Sequence, residues 1–74
     1  MALSEEKLRV IGTRVAIERT RLGLTQGCLA AMLGLTSHSH ISRVECGKKT
    51  PSLNMLDALS EIFGVEMNYF FTKL

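Results

Sequence analysis

The chain has 74 residues, which allows one small domain and excludes a doubly wound cofactor domain or a barrel. Hydrophobic residues make up 46% and charged residues 22%, a composition typical of folded proteins rather than disordered ones. No apolar run is long enough to cross a bilayer, and the acidic start lacks the order of a signal peptide. We therefore expect one cytoplasmic domain over residues 1–74, with no membrane partner.

Positive charge is concentrated in the first two thirds of the chain. The net charge is only +2, yet eight basic residues and two acids lie between Lys7 and Lys49. Residues 50–74 carry three acids and one lysine. This distribution is typical of a surface that faces a polyanion, although a solvated surface can segregate charge in the same way.

Apolar spacing is helical along the chain, and no segment alternates with the period of a strand. Ser4 predicts the start of a first helix that runs to about Arg21. Its apolar face comprises Leu8, Ile11, Val15 and Leu22. Thr25 predicts the N-cap of a second helix, which Gly34 ends.

Three further helices are predicted after this glycine. Thr36 or Ser37 caps a third helix over about residues 37–44, and Ser52 caps a fourth. The apolar stripe of the fourth helix comprises Leu53, Leu56, Leu59, Ile62 and Phe63. A short fifth helix follows over about residues 66–71. The predicted fold is all-α, with five helices around one aliphatic core.

The second and third helices predict a helix-turn-helix, in which the third helix enters the major groove of DNA. Ile41 and Val44 point inward, whereas the outward face is polar and poor in strong helix formers. Such side chains can donate and accept hydrogen bonds at base edges. The predicted base-contacting residues are Ser37, His38, Ser39, His40, Ser42 and Arg43.

Polar residues flank this helix pair where DNA phosphates would pass. Gln26 lies in the first turn of the second helix, beside free backbone N–H groups that favour anions. Simple helix-start chemistry is the alternative for this glutamine. Lys48 and Lys49 follow Gly47 directly after the third helix. We predict phosphate contacts for all three side chains.

Three motifs follow one another along the chain. They are Leu24-Thr25-Gln26-x-x-Leu29-Ala30-x-x-Leu33-Gly34, Ile41-Ser42-Arg43-Val44-Glu45-x-Gly47-Lys48-x-x-Pro51-Ser52 and Phe63-Gly64-Val65-x-Met67-x-Tyr69-Phe70-Phe71. In this order they resemble the phage Cro and repressor family of XRE-type helix-turn-helix regulators, which includes restriction–modification controller proteins. The resemblance covers about residues 11–71. It implies a five-helix domain that binds a pseudo-palindromic DNA operator as a homodimer.

The resemblance also implies roles for individual residues. Gln26 corresponds to a glutamine that grips a phosphate. Arg19 and Glu45 correspond to a partly buried salt bridge between the first helix and the end of the third, and Arg19 is also a candidate phosphate contact. A half-buried arginine needs such a carboxylate partner.

The register of base contacts depends on the turn before the third helix. The base-reading positions of the family correspond to His38, Ser39 and Arg43. The six residues between Gly34 and Ile41 are one more than the family usually has. Either the turn is longer or the third helix starts one residue earlier, so Ser37 and His40 remain candidates.

Other chemistry finds little support. His38 and His40 diverge on a helix, and Cys28 and Cys46 form no Cys-x-x-Cys pair, so neither a metal nor another cofactor is expected. Cys46 beside the lysines is a candidate redox thiol, with an inert thiol as the alternative. We expect no enzymatic activity and no small-molecule ligand, because no nucleophile–base set and no phosphate-binding glycine loop is present.

Apolar residues near the C-terminus predict a second copy of the chain as partner. They are Met67, Tyr69, Phe71 and Leu74. One DNA-reading helix buries too little surface for sequence-specific affinity, whereas a homodimer supplies two. Completion of the core is the alternative for these residues.

The predicted function is sequence-specific binding of double-stranded DNA by a homodimeric transcriptional regulator. A protein-interaction adaptor that keeps the fold without DNA binding is the alternative. Non-specific packaging of nucleic acid would need a more basic chain. The positive charge between Lys7 and Lys49 favours the regulator.

Overall fold

A computed structural model describes residues 3–72, which form four α-helices and a 3-10 helix. The elements are α1 Glu5–Arg21, α2 Gln26–Met32, α3 Ser39–Glu45, α4 Leu53–Phe63 and the 3-10 helix Met67–Phe71. No strand occurs within residues 3–72, and the all-α prediction is confirmed. In this part of the chain no helix has both the length and the apolar character of a membrane span.

Hydroxyl caps and glycines set the ends of most helices. Ser4, Thr25 and Ser52 each accept a hydrogen bond from the backbone N–H three residues further on. Gly34 and Gly64 have φ values of 73° and 71° after α2 and α4, a left-handed conformation that other residues rarely adopt. The predicted starts of α1, α2 and α4 are confirmed.

Two elements differ from the predicted ones. The prediction that Thr36 or Ser37 caps α3 is wrong, because α3 begins at Ser39 and its N-cap is His38. Ser37 lies in the turn, where its Oγ is 3.3 Å from the backbone N and 2.7 Å from the Oγ of Ser39. The extra residue after Gly34 therefore lengthens the turn. The fifth helix begins at Met67 and is a 3-10 helix rather than an α-helix, a form common in segments this short.

Apolar side chains from all five helices form one core. Its buried members are Ile11, Val15, Leu29, Ala30, Ile41, Val44, Leu56, Leu59, Phe63 and Phe70. Two residues that the spacing places on the apolar faces are exposed, Leu22 to 41% and Leu53 to 71%. Leu22 follows the last residue of α1 and Leu53 is the first residue of α4. The periodic apolar pattern therefore extends to the helix ends, where neighbouring elements leave these two side chains exposed.

At Gly12, α1 and α3 approach so closely that no side chain fits between them. A Cβ on Gly12 would collide with the carbonyl oxygen of Val44 and would lie 2.6 Å from that of Glu45. The apolar spacing of α1 does not predict this contact. A glycine inside a helix costs about 1 kcal/mol relative to alanine. Its presence in the middle of the predicted first helix is the feature of the sequence that indicates a packing requirement.

Candidate nucleic-acid interface

The outward face of α3 and the turn before it form a polar groove of about 230 Å³. It is lined by Leu35, Thr36, Ser37, Ser39, His40, Arg43 and Lys49. On the opposite face of α3, Ile41 and Val44 are buried, which fixes the rotation of the helix about its axis. The groove thus brings together four of the six predicted base-contacting residues: Ser37, Ser39, His40 and Arg43.

The other two predicted base-contacting residues do not line this groove. His38 is exposed at the N-cap of α3, where its side chain makes no capping hydrogen bond. Ser42 is half-buried. The hydrogen bond between Ser37 and Ser39 ties the long turn to the first residue of α3.

Two lysines extend the positive charge beyond the end of α3. Gly47 has a φ of 73°, and the N–H of Lys48 donates to the carbonyl of Arg43 at 2.9 Å, which ends the helix. Lys48 and Lys49 are both exposed, and Lys49 borders the groove. Between residues 35 and 50 the one acid is Glu45, whose charge is paired, so the field over this surface is positive.

The carboxylate of Glu45 joins α1, α2 and α3. Its Oε2 is 2.6 Å from Nε of Arg19 and its Oε1 is 3.0 Å from Nη2, a two-point ion pair. This pairing raises the pKa of Arg19. Nη1 of Arg19 donates to the carbonyl of Leu24 at 2.8 Å, so each nitrogen of the guanidinium has an internal acceptor. Nε2 of Gln26 donates to Oε1 of Glu45 at 3.1 Å. The side chain that was predicted to contact a phosphate is therefore hydrogen-bonded to this ion pair.

Glu18, in α1, is a second buried carboxylate. It is 7% exposed and accepts hydrogen bonds from the hydroxyl of Tyr69 at 2.6 Å and from Nε of Arg21 at 2.7 Å. The Tyr69 hydrogen bond lowers the pKa of Glu18 and raises that of Tyr69. The guanidinium of Arg14 lies 4.7 Å from the centre of the Tyr69 ring. Tyr69 thus attaches the 3-10 helix to α1.

We expect Tyr69→Phe to lower the free energy of unfolding by about 2 kcal/mol at pH 7, because it removes a hydrogen bond to a buried charged group. Since the folded pKa of Glu18 lies below its ordinary value of 4.5, this stabilisation is present above pH 4.5 and is lost as the pH falls through the folded pKa. Urea unfolding of both proteins over a pH series measures the difference. A difference that stays constant down to acid pH would contradict this assignment.

The four apolar residues near the C-terminus have unlike environments. Met67 and Tyr69 are half-buried and pack against the core, whereas Phe71 is 51% exposed. Leu74 lies outside the described residues. Phe71 borders a groove of about 400 Å³ that Leu3 and Val10 also line.

Both cysteines are exposed free thiols. Hydrogen bonds with Thr25 lower the pKa of Cys28, whereas the sequence had singled out Cys46 as the candidate redox thiol. Among residues 3–72, no group of three or more His, Cys, Asp or Glu side chains could hold a metal ion.

The fold and the α2–α3 surface define a class of protein that sequence comparison identifies independently. The profile of the helix-turn-helix family matches residues 15–70, from the middle of α1 into the 3-10 helix. The chain belongs to this family, in its XRE-type branch. The predicted resemblance is confirmed.

Two curated relatives and one solved structure are similar to the chain. It is 36% identical over 62 residues to the HTH-type transcriptional regulator PuuR of Escherichia coli, covering 84% of this chain and 33% of that protein. It is 33% identical over 61 residues to an uncharacterized HTH-type transcriptional regulator of Sinorhizobium medicae, covering 82% and 43%. The chain thus spans between a third and a half of these relatives.

The structural match extends over almost the whole of both chains. The restriction-modification controller protein C.AhdI from Aeromonas hydrophila superposes with a TM-score of 0.79 and 31% sequence identity. The match covers 90% of this chain and 96% of that chain. The fold is therefore that of a helix-turn-helix controller protein.

Proposed function

We propose that this chain is a sequence-specific transcriptional regulator that binds a pseudo-palindromic DNA operator as a homodimer. Residues 1–74 act as one cytoplasmic DNA-binding domain, and α3 is its recognition helix. The observation that carries this proposal is the groove on the outward face of α3, where Ser39, His40 and Arg43 lie beside Lys49. The relatives named as transcriptional regulators and the controller-protein fold support the same function.

The residue types in the groove suit the recognition of bases. Arg43 is exposed and can donate two hydrogen bonds to guanine O6 and N7, while serine and histidine contact either donors or acceptors. In this proposal Lys48, Lys49 and Gln26 contact the phosphates that flank the groove. A dimer would present two α3 helices to half-sites about 10 base pairs apart.

Selection of bound sequences from a random DNA pool tests the proposal. At about 150 mM salt, purely electrostatic binding is suppressed, so enrichment reports contacts to bases. We expect an inverted repeat to be enriched. Folded protein that enriches no sequence would contradict the proposal and favour the protein-interaction adaptor.

Arg43→Ala is expected to weaken binding to the selected operator by about 2 kcal/mol, or about thirtyfold, and to relax base preference at one position of each half-site. The reason is the loss of a bidentate contact to a base edge. Fluorescence anisotropy with the operator and with single-base variants measures both effects. An equal loss on operator and random DNA would assign Arg43 to a phosphate instead.

Lys48→Ala provides the matched control, since it removes a positive charge next to α3 but outside the groove. We expect a similar weakening on all sequences, because a phosphate contact carries no base information. The slope of log Kd against log salt concentration should fall by about one unit. Selective loss on the operator alone would contradict the phosphate role.

The proposed dimer surface comprises Phe71 with the neighbouring Leu3 and Val10, and Leu74 is a further candidate. An exposed phenylalanine beside an apolar groove supports burial against a second copy. We expect Phe71→Glu to convert a dimer into a monomer in sedimentation velocity experiments, with helical content unchanged. Leu53→Glu, at another exposed apolar residue, is the control and should leave the dimer intact. A wild-type monomer would overturn the assignment.

A further inference from the structure

We propose that Glu45 is a positioning residue for DNA binding, which holds the amide of Gln26 ready for a phosphate, and that Arg19 makes this possible by neutralising Glu45. The inference rests on the proposed phosphate contact of Gln26. It gives the Arg19–Glu45 pair a role in binding besides its role in stability.

The hydrogen bond from Gln26 to Glu45 fixes an otherwise mobile side chain. Gln26 is the first residue of α2, and its half-buried amide donates one N–H of Nε2 to Oε1 of Glu45 at 3.1 Å. An amide nitrogen carries two hydrogens, so a second N–H remains for an external acceptor. Because a free glutamine loses rotamer entropy when a ligand immobilises it, ordering before binding improves affinity.

The charge of Glu45 would oppose this arrangement if it stood alone. A carboxylate this close to the phosphate-binding amide repels a phosphate. The two short contacts from the guanidinium of Arg19 compensate that charge, since its Nε and Nη2 bind both oxygens of Glu45. The pair therefore presents a neutral acceptor to Gln26 and leaves the surrounding field positive.

A double-mutant cycle on DNA affinity separates positioning from stability. The double variant Arg19→Met/Glu45→Met removes the carboxylate that holds Gln26. Both partners are replaced because apolar residues in place of a buried ion pair are often neutral or stabilising. Gln26→Ala is then measured by fluorescence anisotropy in the wild type and in this double variant. We expect Gln26→Ala to raise Kd by about fivefold in the wild type and by less than about twofold in the double variant.

Two results would overturn the positioning role. One is an equal effect of Gln26→Ala in both backgrounds, and the other is no effect in the wild type. A wild-type chain that selects no DNA sequence would instead refute the proposed function, and the amide geometry can then be tested without DNA.

NMR of the free protein supplies that test, and it also serves if the double variant fails to fold. Gln26 is the one glutamine in the sequence, and correlation of its amide protons with Cγ distinguishes them from the amide protons of Asn54 and Asn68. We expect one of its two Nε2 protons to exchange with solvent at least about tenfold more slowly than in a short peptide, consistent with local protection of a bonded N–H. Two protons that both exchange at the peptide rate would overturn the proposal.

Discussion

Replacing Gly12 with alanine should destabilise the protein by about 3 kcal/mol, which corresponds to a fall in Tm of about 15 °C for a domain of this size. The new Cβ would overlap the backbone carbonyls of Val44 and Glu45, and backbone at the end of α3 cannot move aside as a flexible side chain can. Alanine's better helix propensity offsets only about 1 kcal/mol. Urea unfolding followed by circular dichroism measures the change.

Gly27→Ala is the matched control, because it makes the same substitution within α2. The nearest atom to a Cβ there is Oγ1 of Thr25 at 3.8 Å, an ordinary contact, and the φ of Gly27 is not positive. We expect this variant to be more stable than the wild type by about 0.5–1 kcal/mol. Two variants of equal stability would show that α1 and α3 can separate at Gly12 without cost.

Arg19→Met should destabilise the protein by about 3 kcal/mol, because it leaves a carboxylate without its charge partner in a site where the side chain of Glu45 is only 8% exposed. The double variant Arg19→Met/Glu45→Met should recover most of that loss, since no unpaired charge remains. Urea unfolding of the wild type, each single variant and the double variant gives the coupling free energy.

The outcome distinguishes a structural ion pair from an exposed one. Exposed ion pairs contribute about 0–1 kcal/mol to stability. If Arg19→Met lowers the free energy of unfolding by no more than that, Arg19 and Glu45 behave as an exposed pair. The pair Arg21 and Glu18 offers a comparison, because Arg21 is half exposed at 52%. Arg21→Met should therefore cost less than Arg19→Met.

Local chemistry made most of the helix boundaries predictable. Ser4, Thr25 and Ser52 can satisfy free N–H groups at a helix start, and this capping depends only on residues three positions apart. Glycines in left-handed conformation end α2 and α4 for equally local reasons. The start of α3 does not follow from local chemistry, because a hydroxyl at Thr36 or Ser37 can cap a helix or order a turn, and here Ser37 orders the turn.

Contacts between distant parts of the chain could not be predicted from local patterns. Glu18 is buried because Tyr69, 51 residues further along the chain, donates to it. Gly12 is required because the end of α3 packs against it. The sequence predicted the outward polar face of α3. It did not predict which side chains line the groove, because that depends on the length of the turn before α3. Resemblance to a family implied Arg19 and Glu45, whereas the bond from Gln26 to Glu45 emerged only from the structure.

The complete burial of Phe70 also determines when the protein can fold during its synthesis. Phe70 has no exposed surface and packs its ring 6.4 Å from that of Phe63, so the core is open until residue 70 has left the ribosome. The segment from α2 to α3 emerges earlier, without the element that closes the core over it. A nascent chain that ends before residue 70 would therefore contain the helix-turn-helix sequence without a closed core.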